Sequence, residues 1–361
     1  MTKVIGLFPL TGNGGIASWT IKFLDKFPDD DFQIIPIDVT PGVRYGTENI
    51  YQRVVSGLKA LRNIIAELKA TIQKEHPEIL HTSSSGSIGC YRDYKVGKLC
   101  QKYNVKSIIH CHYGRITEDL NSRGLTGILL RKSLKLFDQI WVLDQRSYNT
   151  LKNIPKYADK VYLTPNPIDI KYPIDSTPKK YTRVGFIGNL IPSKGIFELV
   201  AACIKCDVRL DIVGPGTVDV IEKIKSIAGE RLNRSIFIHG RLPNNEAVEF
   251  MKGLDILALP TYYPWEAFPI SILEAMSLSK MVISCDRAAI PDILTSVDYG
   301  KCGIIVPPKS SKAITEAIEW CQSHSSEADR MCQDAYNKVK TAYNTDTVYE
   351  LYKKNYKELI Y

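Results

Sequence analysis

The sequence lacks long hydrophobic runs, a disulfide framework and low-complexity tracts. No apolar stretch approaches the roughly 18 residues of a membrane-spanning helix, and the opening run VIGLFPL stops at Thr11-Gly12 without a cleavage-site pattern. The nine cysteines are odd in number and scattered, which argues against structural disulfides. Hydrophobic residues make up 44% and charged residues 24%, as in ordinary globular proteins. These absences predict a cytoplasmic globular protein.

Negative charge is scarce in the first half of the chain. Residues 1–170 contain 23 Lys and Arg against 16 Asp and Glu, whereas residues 171–361 contain 24 against 23. A basic first half indicates an anionic partner or a peripheral contact with the inner face of an anionic membrane. A solvated basic surface without a partner explains the charge equally well. No nucleic-acid partner is expected, because basic and aromatic residues do not interleave in a recognisable module.

Strand-like apolar runs alternate with helical patterns along the whole chain, which predicts parallel sheets with helices on both faces. The runs are KVIGLF, FQIIPID, EILHTS, VKSIIHCH, QIWVLD, KVYLTP, RVGFIG, VRLDIVG, SIFIHG, LDILALP, MVISCD and GIIVPP. Residues 165–180 contain four prolines and no periodic pattern, which indicates a linker. We therefore predict an α/β chain of two doubly wound domains, 1–170 and 171–345. Ligands of such domains bind at the carboxyl ends of the strands, so a shared cleft is expected.

Two further segments have the spacing of amphipathic helices. Apolar residues recur at helical steps between residues 54 and 72, which predicts a long helix whose stripe lies in the core: Val54, Leu58, Leu61, Ile65, Leu68 and Ile72. Residues 346–361 predict a helix that needs a surface to pack on. We expect that surface to be the first domain.

The segment PWEAFPISILEAMS, residues 264–277, places two carboxylates across the start of a predicted helix. Pro269 suits the first helical turn. The amides of Ala267, Phe268 and Ile270 therefore lie near the start of the helix, where they can donate to an anionic group. An ionised carboxylate only accepts hydrogen bonds, so Glu266 could bind a sugar hydroxyl and Glu274 two ribose hydroxyls. Taken singly, either glutamate is better explained as a surface carboxylate.

Lys194 and Gly195 follow the strand RVGFIG and precede the apolar helix IFELVAACI. Free amides at a helix start, with a lysine beside them, can bind phosphate. An ordinary strand–turn–helix with a solvated lysine is the alternative.

Two pairs of residues have the spacing of metal ligands. Cys203 and Cys206 lie in a predicted helix with no second pair. His110 and His112 share one face of a strand, but no carboxylate motif accompanies them. We expect no bound metal.

The segment ALPTYYPWEAFPISILEAMSLSKMVIS resembles the E-x7-E signature of the retaining glycosyltransferases of family 4. That family has the GT-B fold, two facing Rossmann-like domains with a cleft between them. The similarity continues in order through FIGNLIPSKGIFELV, LDIVGPG, IFIHGRLPNNEAVEFMKGLDI and CGIIVPP. In the first half it is thinner, comprising GNGGIAS, HPEILHTSSSG, SIIHCHYG and TPNPID.

The resemblance implies a role for each matching residue. Glu274 would bind the nucleotide ribose and Glu266 the donor sugar. Lys194 would neutralise the diphosphate, and His112 would contact the donor sugar from the first domain. In this reading Glu266, Lys194 and His112 form the catalytic set.

Further donor-binding residues follow from the same resemblance. Gly14 and Gly15 match a glycine turn near the diphosphate and acceptor, and Gly214 matches the nucleotide pocket. The family has an arginine where this chain has Asn189, so half of the expected cationic clamp is missing. Arg241 is the candidate replacement.

The resemblance implies a retaining transfer of a hexose from a nucleoside-diphosphate sugar, with a UDP-sugar favoured. The acceptor would be a saccharide or a polyprenyl-diphosphate-linked hydroxyl in surface polysaccharide synthesis, and no cofactor is expected. Two alternatives stay open: a sugar-nucleotide epimerase of the same architecture, and a non-catalytic nucleotide-sugar-binding protein.

Overall fold

Two compact units make up the chain. The computed structural model describes residues 1–12, 15–40, 50–87 and 89–361. Unit 1 comprises Met1–Asn166 with Tyr349–Tyr361, and unit 2 comprises Pro167–Val348. Each unit contains a six-stranded sheet with flanking helices. The predicted α/β class with two parallel-sheet, Rossmann-like domains is therefore confirmed.

The sheet of unit 1 is parallel throughout and has the strand order β2-β1-β3-β4-β5-β6. Its strands are β1 (Thr2–Phe8), β2 (Phe32–Asp38), β3 (Ile79–Ser84), β4 (Lys106–Cys111), β5 (Gln139–Val142) and β6 (Val161–Leu163). Every residue of β3 and β5 is buried. Central parallel strands are covered on both faces, which is why they read as continuous apolar runs in the sequence.

Within the described part of unit 1, the strands are connected by the helices α1 (Gly15–Lys26), α2 (Ile50–Glu75), α3 (Gly89–Tyr103), α4 (Ile116–Asn121), α5 (Leu125–Leu134), α6 (Gln145–Lys152) and α7 (Pro155–Ala158). The prediction that the whole apolar stripe of α2 lies in the core is wrong. Leu68 and Ile72 are buried, but Leu58 is 56% exposed, and the side chain of Val54 lies outside the described residues. A helix of 26 residues is about 39 Å long, whereas strands of this sheet span about 20 Å. One end of α2 therefore extends past the sheet.

The sheet of unit 2 is also parallel and has the order β14-β11-β10-β7-β8-β9. Its strands are β7 (Arg183–Ile187), β8 (Arg209–Val213), β9 (Ile236–Gly240), β10 (Ile256–Leu259), β11 (Met281–Cys285) and β14 (Ile304–Val306); β12 (Thr295–Ser296) and β13 (Gly300–Lys301) form a small antiparallel pair. Its helices are α8 (Ile196–Lys205), α9 (Val218–Ala228), α10 (Asn244–Met251), α11 (Ile270–Ser277), α12 (Ile290–Leu294), α13 (Ser311–Ser323) and α14 (Ser325–Lys338).

Helix α15 (Thr345–Ile360) begins in unit 2 and ends in unit 1. Its Tyr352 and Tyr356 are completely buried within unit 1. The Tyr352 hydroxyl donates to the carbonyl of Pro165 at 2.8 Å, and the Tyr356 hydroxyl lies 2.6 Å from Nδ1 of His81. This helix is thus part of the core of unit 1. Among the helices that the structure describes, none has both the length and the apolar composition that crossing a bilayer requires.

Candidate functional site

The strand order of unit 2 reverses between β7 and β10, which lie side by side. The connections that leave these two strands run to opposite sides, so a crevice forms at their carboxyl ends, where ligands of such sheets bind. The chain places Lys194 in the loop after β7 and Thr261 and Glu266 in the loop after β10. Two of the predicted catalytic residues therefore belong to loops of one crevice.

Lys194 and Glu266 form an ion pair in this crevice. The Lys194 Nζ lies 3.2 Å from Oε2 of Glu266, and the two side chains are only 16% and 12% exposed. The Thr261 hydroxyl donates to the same carboxylate oxygen at 3.3 Å. An ammonium group has three donors, so Lys194 can bind an anionic ligand while it holds Glu266. Thr261 is a site residue that the sequence analysis missed.

Two glycines bring the backbone of this crevice together. Gly195 has a φ of +76°, and a Cβ at this position would lie 2.3 Å from the carbonyl oxygen of Pro260. Gly214 has a φ of +146°, and a Cβ there would lie 1.9 Å from the carbonyl oxygen of Gly188. Only glycine fits either position. The loops after β7, β8 and β10 consequently approach one another closely.

Glu274 lies on α11, the helix that follows the loop of Glu266. It is 9% exposed, and the Asn244 side-chain amide donates to its Oε1 at 3.2 Å. A buried carboxylate is costly without polar partners, so Asn244 helps to fix Glu274 where the carboxylate can still meet a ligand. Asn244 is the first residue of α10 and was not predicted.

The start of α11 differs by one position from the prediction. Pro269 is the residue that caps the helix, and Ile270 is its first helical residue. Ala267 and Phe268 are buried; the Ala289 amide donates to the carbonyl of Ala267, and the Phe268 ring meets the ring of Tyr343 edge-on at 5.6 Å. The first amides of a helix have no acceptor within it. Ala267 and Phe268 thus belong to a packed loop and Ile270 to the first turn of the helix, and anion binding by the amides of these three residues stays a prediction.

The other predicted residues of unit 2 are exposed. Asn189 follows β7 and Arg241 follows β9, so both lie at the edge of the sheet that carries Lys194. That Arg241 replaces the family arginine stays a prediction.

His112 follows β4 in unit 1 and is 7% exposed. Its ring lies 4.0 Å from the ring of His110 and 4.6 Å from that of Trp19. Burial lowers the pKa of His112 to about 3, so its imidazole is neutral near pH 7. Within the described part of the chain, its Nε2 makes no hydrogen bond. This nitrogen is itself buried, and the contact of His112 with the donor sugar stays a prediction.

The remaining candidates of unit 1 are the two glycines. Gly15 is the first residue of α1 and is exposed, whereas Gly14 lies outside the described residues. The structure thus brings Lys194 and Glu266 together in unit 2, while His112 belongs to unit 1.

The residues with metal-ligand spacing have other surroundings. Burial raises the pKa of Cys203 well above its usual value, so this thiol is protonated on its helix. His110 is buried, and burial holds its pKa well below the usual range. No group of three His, Cys, Asp or Glu residues that could hold a metal occurs in the ranges that the structure covers.

Comparison with known proteins finds a family model that is similar to part of the chain. Residues 170–338 match the family model described as glycosyl transferases group 1. The D-rhamnosyltransferase WbpZ of Pseudomonas aeruginosa is 27% identical over 164 residues, which are 44% of this chain and 41% of that protein. The putative teichuronic acid biosynthesis glycosyltransferase TuaC of Bacillus subtilis is 24% identical over 161 residues, 44% of this chain and 38% of that protein. The chain thus spans about two fifths of the length of these two relatives.

A solved structure matches the whole chain. HepE of Anabaena, crystallised with UDP-glucose, superposes with a TM-score of 0.75 at 15% identity, covering 99% of this chain and 100% of that one. Identity this low supports the fold alone. The comparisons support the expectation of a glycosyltransferase enzyme. Residues 170–338 are similar to the glycosyl transferases group 1 family, and the two Rossmann-like units have the fold of GT-B glycosyltransferases.

Proposed function

We propose that the chain is a retaining glycosyltransferase that moves a hexose from a UDP-sugar to a hydroxyl group of a saccharide acceptor. The observation that carries this proposal is the Lys194–Glu266 ion pair at the strand-order reversal of unit 2, 3.2 Å between Nζ and Oε2. It lies within the segment that matches the group 1 family model. The lysine can pair with the diphosphate of a sugar nucleotide. The carboxylate beside it can accept a hydrogen bond from a hydroxyl group of the sugar.

Each site residue of unit 2 binds a different part of the donor. Glu274, held by Asn244, accepts hydrogen bonds from the ribose hydroxyls. Lys194 binds the diphosphate, and the amides from Ile270 onward supply further donors. Glu266 accepts a hydrogen bond from the sugar, because Lys194 and Thr261 orient its carboxylate. His112 contributes a neutral imidazole nitrogen from unit 1.

The step that these groups accelerate is departure of the nucleoside diphosphate. The bond between the sugar C1 and the β-phosphate oxygen breaks, and its electron pair stays on that oxygen. The acceptor oxygen forms the new bond to C1 on the same face, and the released phosphate oxygen takes the proton of the acceptor hydroxyl. Lys194 lies where negative charge grows, and a preorganised donor of this kind contributes roughly 3–4 kcal/mol to catalysis. Because a lysine supplies the positive charge, we propose transfer without a bound metal or other cofactor.

The acceptor is proposed to be lipid-linked, in surface polysaccharide synthesis. Two relatives have names that refer to sugar transfer, a rhamnosyltransferase and a teichuronic acid biosynthesis glycosyltransferase. UDP is favoured as the donor nucleotide because HepE of Anabaena binds UDP-glucose. The basic first half of the chain suits a phosphate-bearing acceptor at a membrane.

The test is a thermal-shift screen of UDP-, GDP- and ADP-sugars, followed by product analysis with saccharide and polyprenyl-diphosphate-linked acceptors. We expect a UDP-sugar to raise the unfolding temperature and an α-linked product to form with EDTA present. Conversion of the donor without acceptor would indicate an epimerase. Donor binding with neither transfer nor conversion would indicate a binding protein, and an inverted linkage would refute the retaining mechanism.

A further inference from the structure

Helix α5 of unit 1 presents two large aliphatic side chains to solvent. Leu125 is 71% exposed and Ile128 is 39% exposed. Lys132 and Lys135 are also exposed and continue the same face, because positions i, i+3, i+7 and i+10 of a helix lie on one side. The result is one helix face with apolar residues at its start and cations at its end. We call Leu125, Ile128, Lys132 and Lys135 the α5 face.

The helix is held rigidly in this orientation. Leu130 and Leu134 lie on the opposite side and are buried. Gly127 packs so closely that a Cβ there would lie 2.4 Å from the carbonyl oxygen of Ser122. At the other end of the helix, Lys160 donates from its Nζ to the carbonyl of Leu134 at 2.9 Å. The exposure of Leu125 and Ile128 is therefore a property of an ordered helix.

Positive charge predominates on α5. Helix α5 contains no acidic residue. Lys156 of α7 stands close enough to Lys135 and Arg131 that these cations, after burial, lower its pKa. No carboxylate within the described ranges lies within 4 Å of Lys132, Lys135 or Lys156. Cations that repel one another in the free protein would be stabilised by an anionic surface.

We propose that the α5 face, with Lys156 beside it, docks the protein on an anionic phospholipid bilayer. The aliphatic side chains enter the interface between headgroups and acyl chains, while the lysines pair with lipid phosphates. The face has no aromatic side chain on which a base could stack, so a nucleic acid fits less well. Under the proposed function, docking brings the enzyme to a lipid-linked acceptor. Docking itself does not require the proposed activity.

The test uses the full chain and vesicles in a cosedimentation assay without any nucleotide sugar. We expect binding to vesicles of phosphatidylglycerol and phosphatidylcholine, little binding to phosphatidylcholine alone, and weakening by salt. Each lysine near an anionic surface raises the affinity for the membrane about fivefold, so K132A/K135A should bind the vesicles about 30-fold more weakly. L125S/I128S should bind the vesicles about tenfold more weakly, because the aliphatic side chains no longer enter the interface.

Matched controls come from exposed residues of unit 2. K205A/K312A removes two lysines and V218S/V297S removes two exposed valines; both should bind vesicles like the wild type. Unfolding temperatures check that every variant is folded. Failure of the wild type to bind anionic vesicles, equal binding by the α5 variants, or an equal loss in the controls would each overturn the proposal. Loss of self-association in the α5 variants, in place of vesicle binding, would assign the face to a second copy of the chain. A separate UDP titration reports on the donor site, so its failure would refute the proposed function and leave the docking result intact.

Discussion

Acidification from pH 7 to pH 5 should destabilise unit 1 strongly. His81, His110 and His112 are buried together there. The ring centroids of His81 and His110 are 5.4 Å apart, and those of His110 and His112 are 4.0 Å apart. Burial, with smaller repulsion from the neighbouring histidines, holds the pKa of His81 and of His110 well below the usual value, and burial lowers that of His112 to about 3. The folded unit therefore keeps three neutral imidazoles at pH 5, whereas the unfolded chain protonates them near pH 6.5.

The sign and the size of the effect follow from this difference. A folded-state pKa below the unfolded value means that acid stabilises the unfolded chain, so stability is lost as the pH falls through 6.5 and below. Each histidine contributes about 2 kcal/mol between pH 7 and pH 5, and the three together about 6 kcal/mol. That is of the order of the whole stability of a typical domain. Carboxylates with low pKa values, such as Asp211 at about 2, add to the loss only at more acidic pH.

Urea unfolding followed by tryptophan fluorescence measures this effect. Trp19 lies 5.1 Å from the ring of His110, and Trp141 lies 4.9 Å from that of His81, so both report on unit 1. H110Q should reduce the loss between pH 7 and pH 5 from about 6 to about 4 kcal/mol. H324Q, at an exposed position of unit 2, should leave it unchanged. A stability that is flat between pH 7 and pH 5, or imidazole signals of His81, His110 and His112 that titrate near 6.5 in NMR spectra of the folded chain, would refute the reasoning.

Three further predictions concern unit 2. K194A should lower the transfer rate by about 100- to 1,000-fold with a much smaller change in donor affinity, as measured by steady-state kinetics and calorimetry; an equal loss in both would make Lys194 a binding residue only. E274A should weaken UDP binding by about 10- to 100-fold and N244A by a few-fold, and titration showing a larger effect for Asn244 would contradict the positioning role. G214A should lower the stability of unit 2 by a few kcal/mol, because its Cβ would collide with the carbonyl of Gly188. An unchanged unfolding temperature for G214A would mean that these loops do not approach as closely as described.

The strands were predictable because the pattern that makes them is local. A strand buried in a parallel sheet is a short apolar run bounded by turn residues, and β10 and β11 have that appearance in the sequence. The apolar stripe of α2 was misread because periodicity reports which face of a helix is apolar. It does not report how far the underlying sheet extends, so the exposure of Leu58 could not be foreseen.

The partners of the site residues were not predictable for a different reason. Asn244 and Glu274 are 30 positions apart, and no spacing rule links a residue at the start of one helix with a residue inside another. Thr261 is near Glu266 in sequence, but a threonine after a strand is too common to indicate a partner. Lys194 and Glu266 could be proposed because a helix start with a lysine, and a carboxylate before a second helix, each have a local physical rationale.

The path of α15 has a consequence for biosynthesis. Unit 2 is one continuous segment, Pro167–Val348. Unit 1 includes Tyr349–Tyr361, which follow unit 2 in the sequence. The ribosome therefore delivers all of unit 2 before the residues that bury His81 and fill the remaining core of unit 1. We expect a nascent chain released before Tyr352 and Tyr356 have emerged to hold a folded unit 2 beside an incomplete unit 1, a species whose uncovered aromatic cluster would attract chaperones.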